Sequence, residues 1–242
     1  MTVIRRSKWG VPYSQFWFAR TFSWLDGWGL TVYKQFLGQS VPRFPFIKDE
    51  HYTILIDLTQ NEEALVAGMN KNTRTQLKKA EGDGFVWSYE TNLESFRTFF
   101  NAFAKEKGLK SLESDVLQSE KDALSIGKVE WQGRVLAAHA YLVDRKECRA
   151  RFLYGASARL EDGVEPNLAG RANRLAHFSE IQDFKRQGLK AFDFGGYAKD
   201  TSDLQKQGIN QFKESFGGVV VEESNYDSVW VALAKLFQGK FR

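Results

Sequence analysis

The chain has 242 residues, long enough for one large domain or for a core with a small appendage. Its 43% apolar and 26% charged residues are those of an ordinary globular protein and exclude the disordered and fibrous classes. A single cysteine, Cys148, excludes an internal disulfide framework, and His51, His139 and His177 lack ligand spacing, so no metal centre is expected.

The formal net charge of +4 is unevenly spread. Residues 1–46 hold six basic residues (Arg5, Arg6, Lys8, Arg20, Lys34, Arg43) against Asp26, a net of +5, which leaves −1 for the rest. The same stretch carries 12 of the 35 aromatic rings, among them Trp9, Trp17, Trp24 and Trp28. Basic, Trp-rich composition suits a surface that meets anionic headgroups or phosphates. The same rings equally suit a packed aromatic flap over a core. No apolar run approaches the ~18 residues of a membrane span, and the first residues lack a signal-peptide core. The expectation is a cytoplasmic protein, with residues 1–46 as a candidate peripheral contact at the inner face of the membrane.

Residues 38–50, with Pro42 and Pro45, read as an extended connector. Tyr52–Leu58 is a β-type run. A helix capped by Thr59 or Asn61 is expected to run to about Glu81 and to stop at Gly82-Asp-Gly84, with Leu65, Met69 and Leu77 inward and Lys71, Arg74 and Lys78 opposite. Phe85–Tyr89 reads as a strand, 93–107 as a helix with Phe96, Phe99, Phe100 and Phe103 on its apolar face, and Glu113–Leu124 as a second helix. Three strand-like runs follow: Gly127–Trp131, Val135–Val143 and Cys148–Ala156. Gln132-Gly133 marks a hairpin between the first two. Asp162-Gly163 and Pro166 mark a loop before a long amphipathic helix, Leu168–Gln187, which Gly188 ends ahead of the strand Lys190–Phe194. Three successive strands followed by a β-α-β-like return predict an α/β (α+β) protein built on a mixed sheet, not a doubly wound parallel one. The expected division is a basic, aromatic N-terminal portion at 1–47, a partial or truncated first lobe, and a core at 48–242.

Two segments stand out for chemistry. Lys190-Ala-Phe-Asp-Phe-Gly-Gly196 ends a strand in Asp193 and then Gly195-Gly196, where glycine leaves backbone open to a ligand. In Gly208-Ile-Asn-Gln-Phe-Lys-Glu-Ser-Phe-Gly-Gly218, Ile209, Phe212 and Phe216 are spaced to form one helical face beside Lys213, a cation suited to an oxyanion or phosphate. Read separately, the first is also an ordinary strand-to-loop turn and Lys213 an ordinary solvated charge. His139, alternating with Ala137 and Tyr141, is either a hydrogen-bonded core histidine or a general base. Tyr154 and Tyr197 are either proton donors or packing residues. Ser157 lacks the Gly-x-Ser-x-Gly elbow of hydrolases, and no P-loop or dinucleotide fingerprint is present.

In order along the chain, Arg74…Gln-Leu-Lys-Lys-Ala-Glu…Gly84, Ala137-Ala-His139, Arg151-Phe-Leu-Tyr-Gly-Ala-Ser157, Asp193-Phe-Gly-Gly196 and Phe212-Lys213…Phe216-Gly-Gly218 resemble the FemAB-like branch of the GNAT acyltransferase superfamily over roughly residues 50–225. The resemblance implies a GNAT-like, mostly antiparallel sheet flanked by helices. It also implies transfer of an acyl or aminoacyl group, from acyl-CoA or aminoacyl-tRNA as co-substrate, to an amine. The acceptor would be an amino-sugar or peptide of a nucleotide- or lipid-linked polysaccharide or peptidoglycan precursor. No bound cofactor or metal is implied.

By the same resemblance Lys213 stabilises the tetrahedral intermediate, Asp193 or His139 orients or deprotonates the amine, and Arg74 and Lys78 face phosphates of donor or acceptor, including tRNA. Tyr154, Gly195, Gly196 and Tyr197 complete the candidate donor site. The chain departs from the family pattern in two ways. There is room for one complete GNAT-like domain, and the glycine-rich pyrophosphate loop is replaced by Arg159-Leu-Glu-Asp-Gly-Val-Glu-Pro-Asn-Leu-Ala-Gly170. The helix start at Asn167–Arg171 is expected to offer free N–H groups to an anion. Two rivals remain: a non-catalytic envelope-assembly module, and nucleic-acid binding through the N-terminus and the Lys71/Arg74/Lys78 face.

Overall fold

The computed structural model describes residues 1–8, 10–39, 42–161 and 163–237. Trp9, Asp162 and positions 40–41 of the expected connector lie outside the described residues. The chain forms two compact units, Met1–Thr53 with Val220–Arg242, and Ile54–Val219. The boundary expected after residue 47 therefore falls after Thr53, and the chain from Val220 onward joins the N-terminal unit. Backbone pairing is the reason: strand β10 (Val219–Ser228) runs antiparallel to β3 (Thr31–Phe36).

The first unit has the strand order β1 (Thr2–Lys8), β2 (Val11–Trp17), β3, β10, β4 (Phe46–Asp57). β1 and β2 form an antiparallel hairpin, β2 and β3 are parallel, and a 3-10 turn at Trp24–Trp28 lies between them in the chain. β4 begins inside the stretch read as a connector, because Phe46 is drawn into an aromatic core with Tyr33, Phe36 and Tyr226. A bulge in β3, where Lys34 and Gln35 (φ +47°) face the single residue Asn225, lets Asn225 Oδ1 accept from the Gln35 backbone N–H (3.0 Å), and Gln35 Nε2 donates to Glu223 (2.7 Å). Helix α7 (Val229–Phe237) closes the unit, its first N–H donating to Pro45 O (2.9 Å). Of the aromatic rings of residues 1–46, Trp17, Phe18, Tyr33, Phe36 and Phe46 are buried, as a packed flap requires; Trp24, Trp28 and Phe44 are exposed.

In the second unit the last residues of β4 begin the order β4, β9 (Ala191–Gly196), β8 (Arg149–Ser157), β7 (Arg134–Asp144), β6 (Leu124–Trp131), β5 (Val86–Tyr89). β5 to β8 are antiparallel neighbours and β8–β9 is parallel, the mixed sheet expected from three strands in succession. Gln132 and Gly133 both take positive φ (+50° and +78°), as a two-residue hairpin of right-handed twist demands. Helices cover both faces. Ala138, Ala140 and Ala156 pack against α3 (Leu93–Glu106) and α4 (Ser114–Glu120), while Tyr141, Phe192 and Phe194 pack against α5 (Pro166–Arg186). The small side chains of β7 on the α3 side let bulky Phe96 and Phe100 approach the sheet.

The single helix expected over 61–81 is two, α1 (Glu62–Gly68) and α2 (Lys71–Ala80). Asn70 takes extended backbone and its side chain caps Thr73 N (2.8 Å), which restarts the helix just past the end of α1, itself capped by Asn61. The Phe216-Gly-Gly218 motif docks at this break. Asn70 N donates to Ser215 O (3.0 Å), and Gly217, at φ +87°, lies so close to Gly68 that a Cβ would stand 2.5 Å from its backbone. Ile209 does not join Phe212 and Phe216 on a buried face but is exposed, since α6 (Leu204–Glu214) seats only its last turn. Gly217→Ala combines a left-handed φ with a backbone clash and is expected to cost at least about 2 kcal/mol. Denaturant titration of the variant checks it.

Candidate active site

β8 and β9 pair in parallel at only three positions, Arg149 with Ala191, Ala150 with Phe192 and Arg151 with Asp193. Beyond them β8 continues to Ser157 and β9 to Gly196 with no further register. The two strands part where chemistry was expected. Two local features shape the opening. Opposite Ala140 and Tyr141, Leu153 is an extra residue in β8, a bulge that sends Phe152 to the α5 face and Tyr154 to the α3 face. Gly195, at φ +72°, passes Phe152 O so closely that a Cβ would stand 2.9 Å from it.

Asp193 sits at the apex of this opening with no exposed surface. Its Oδ2 accepts from Arg149 Nε (3.1 Å) and Nη2 (2.6 Å), and its Oδ1 accepts from Gly195 N (2.7 Å). A carboxylate held by a two-pronged guanidinium and a backbone N–H is a fastening, not a base. The role expected for Asp193, orienting or deprotonating an amine, therefore gives way to fixing the Gly195-Gly196 turn.

Lys213, from the last turn of α6, reaches this turn. Its Nζ donates to Gly196 O (2.5 Å) and lies 3.5 Å from Gly195 O. Burial, reinforced by the Arg151 guanidinium and opposed by Asp193, pushes the Lys213 ammonium down to about 8. The lysine is half-buried, held by carbonyls and not by a carboxylate, which leaves its charge available to a ligand. Tyr197, just past β9, is tied to the same helix through Glu214 Oε1 (2.9 Å), so Gly195, Gly196, Tyr197 and Lys213 are brought together as expected.

Beside them α5 contributes residues that sequence reasoning passed over. His177 is buried, stacked on His139 at 4.0 Å and edged by Phe152, Phe194, Phe212 and Phe216. Burial and the charges of His139, Lys213 and Arg174 hold His177 well below the usual imidazole range, so it is neutral. His139 is fixed at both nitrogens, by Glu180 Oε2 (2.8 Å) and Asn173 Oδ1 (2.9 Å). Tyr141 donates to the same Glu180 oxygen (2.5 Å), and burial followed by Glu180 raises its phenol well above 10. His139 is thus the hydrogen-bonded core histidine of the two readings, oriented by a buried carboxylate. The helical spacing of Leu175, Phe178, Ile181 and Phe184 marks an apolar inward face of α5. The polar residues His177 and Glu180 on that face have no apolar signature to reveal them.

Arg174 lies over the Phe212 ring (5.2 Å) with its Nε buried and without a partner. Burial and Arg159 lower it from the usual guanidinium range. Among the described residues neither Arg159 nor Arg174 has a carboxylate partner.

Other expected site residues fall elsewhere. Tyr154, on the opposite sheet face, donates to Glu120 (3.2 Å) among the α3 phenylalanines, a packing role that the bulge at Leu153 dictates. The start of α5 does not present free N–H groups. Glu165 accepts from Asn167 N (3.1 Å) and Leu168 N (2.9 Å), Pro166 has no N–H, and Arg171 is paired with Asp83. Arg74 folds back on the carbonyls of Ala67 and Met69, closing the end of α1, while Lys78 stands exposed on the outer side of α2. The described residues include one cluster with metal-like donors, His139, His177 and Glu180. Its rings are stacked face to face and its donor atoms already bond one another or Tyr141 and Asn173, which does not fit an ion.

No protein-family model and no curated protein matches this sequence. Among solved structures, FemX superposes on 97% of this chain and 85% of its own, with a TM-score of 0.63 and 11% identity. The fold is FemX-like. The C-terminal domain of a protein named as a lysylphosphatidylglycerol synthetase, from Agrobacterium fabrum, covers 88% of this chain and 74% of its own (TM-score 0.56, 14% identity). L-PGS from Bacillus licheniformis covers 88% and 73% (TM-score 0.57, 13% identity). At these identities the likeness is one of fold, and a mostly antiparallel mixed sheet flanked by helices, as expected, is the architecture observed.

Removing one partner of the buried Arg149–Asp193 pair strands the other. Arg149→Met is expected to cost about 3–5 kcal/mol, and adding Asp193→Asn to restore part of it, as measured by chemical unfolding of both variants. Lys213 carries the opposite sign. Its folded value, about 8, lies below its ordinary 10.5, so charging it opposes folding at and below pH 8, and that cost fades as pH rises to 10.5. Lys213→Met should raise the melting temperature at pH 7 and leave it near wild type above pH 10.5.

Proposed function

We propose that the protein is an N-acyltransferase that moves an acyl or aminoacyl group to an amine. The observation that carries this reading is the Lys213 ammonium, held by the Gly195 and Gly196 carbonyls where β8 and β9 part. Attack of a neutral amine on a carbonyl carbon puts negative charge on the carbonyl oxygen, and a desolvated cation beside that oxygen lowers the barrier. The C–N bond forms, the C–O bond of an aminoacyl ester or the C–S bond of a thioester breaks, and the amine proton goes to the leaving oxygen or sulfur, or to solvent. No covalent enzyme intermediate is needed. Since Asp193 is tied to Arg149 and His139 to Glu180 and Asn173, the reading relies on an amine that arrives unprotonated.

Both donor classes, aminoacyl-tRNA and acyl-CoA, are polyanions, and Arg174, without a carboxylate partner among the described residues and with its Nε buried and unsatisfied, suits phosphate of either. The acceptor we propose is an amine of a nucleotide- or lipid-linked peptidoglycan or surface-polysaccharide precursor. Support comes from the FemX-like fold and from a neighbour whose name, lysylphosphatidylglycerol synthetase, joins lysine to phosphatidylglycerol.

Transfer from each donor to an amine acceptor, followed by intact mass of the product, tests the reading. Lys213→Ala should lower kcat by about 10²–10³ while retaining the fold; wild-type turnover in that variant would remove the lysine from the mechanism. The lysine acts as the ammonium, so its contribution should fall as pH rises through about 8, and Lys213→Arg should retain its rate there. Arg174→Ala should raise KM for the donor with a smaller effect on kcat. Calorimetric binding of neither donor would favour the non-catalytic module.

A further inference from the structure

The molecule's most exposed apolar surface lies in the first unit. In the 3-10 turn and the loop before β4, Trp24 (54% exposed), Leu25 (72%), Trp28 (43%) and Phe44 (65%) face solvent. Trp28 sits between Trp24 and Phe44 with ring centroids 5.8 and 5.6 Å away, so three of these side chains form one surface. Helix α7 packs on the same turn. Its exposed positions include Trp230 (50%), Leu233, Ala234 and Phe237 (91%), spaced i, i+3, i+4, i+7. An ordinary surface helix turns its polar residues outward; α7 turns an apolar stripe outward.

Charge indicates what covers this face. The first unit, residues 1–53 and 220–242, holds ten Lys/Arg against six Asp/Glu. The second unit has twenty-four of each, so the formal net charge of +4 belongs to the sequence of the first unit, whose described residues within 1–53 and 220–237 hold eight Lys/Arg against six Asp/Glu. Arg43, exposed, adjoins Phe44, and exposed Arg20 precedes the turn. The turn's own acid, Asp26, is occupied in accepting the Tyr33 hydroxyl (2.6 Å). Two copies meeting through such a unit would bring like net charges together, whereas an anionic bilayer attracts them. Trp24 Nε1 already donates to Phe44 O (3.1 Å), so its ring can enter an apolar phase without stranding a donor.

We propose that the Trp24–Trp28 turn, Phe44 and the outer stripe of α7 form a docking face for an anionic lipid bilayer, lying in the headgroup–acyl boundary without spanning it. No helix among the described residues is long and apolar enough to cross a membrane. The inference does not rest on the transfer reaction.

Co-sedimentation with phosphatidylcholine vesicles, with and without phosphatidylglycerol, tests it. The wild-type chain should partition into the phosphatidylglycerol vesicles, with a blue shift of tryptophan emission, and leave them as salt rises. Leu25→Glu with Phe237→Glu alters two exposed side chains and should preserve the fold while lowering partition at least about tenfold. Absence of partition at low salt, equal partition into neutral vesicles, or wild-type partition of the double variant would each overturn the proposal. So would a dimer in sedimentation that the same variant dissociates. Lys213→Ala should bind vesicles like wild type, which separates failure of this inference from failure of the transferase reading.

Discussion

The Arg149–Asp193 pair, which spans the short register of β8 and β9 from its first position (Arg149 with Ala191) to its last (Arg151 with Asp193), governs the local architecture. Two guanidinium hydrogen bonds and the Gly195 N–H use up a carboxylate that has no access to water. One residue later the strands separate. Because the pair fastens the strands where pairing ends, the opening beyond it is a fixed feature of the sheet and not a frayed end. The left-handed turn at Gly195 then aims two consecutive carbonyls at Lys213, and those carbonyls place the ammonium.

The second constraint is electrostatic. Around the opening the acids have partners within the fold, Asp193 in the Arg149 guanidinium and Glu180 in hydrogen bonds with His139 and Tyr141. The cations Lys213 and Arg174 are not matched by carboxylates in the same way. A desolvated cation without a carboxylate partner beside an aromatic wall is unfavourable for folding alone and favourable for an anionic ligand. Lys213 shows the cost directly, being driven toward neutrality by the burial that makes its charge effective.

Much of the second unit was legible in the chain. Strand-type runs, the Gln132-Gly133 turn, the phenylalanine stripe of α3 and the Gly188 stop follow from side-chain period and backbone preference, which are local. The ordered motifs also pointed to the observed fold and brought Gly195, Gly196, Tyr197 and Lys213 to one place. The failures are local too. The Asn70 cap splits a helix whose apolar spacing runs straight through it, and Glu165 consumes N–H groups that a motif comparison leaves free.

What sequence by itself determined was the alternation of elements, the mixed sheet, and the identity of a lysine worth attention, because period, turn chemistry and glycine placement act over a few residues. Tertiary structure alone decided that Asp193 is a fastening, that Tyr154 faces the α3 side of the sheet, and that His177, Glu180 and Arg174 gather beside His139 and Phe212. It also decided that residues from Val220 onward complete the N-terminal unit and turn an apolar stripe to solvent. Each of these depends on partners distant along the chain, such as Arg149 for Asp193, β7 for the bulge that rotates Tyr154, and β3 for β10. Pairing at that range is set by packing, which no window of neighbouring residues contains.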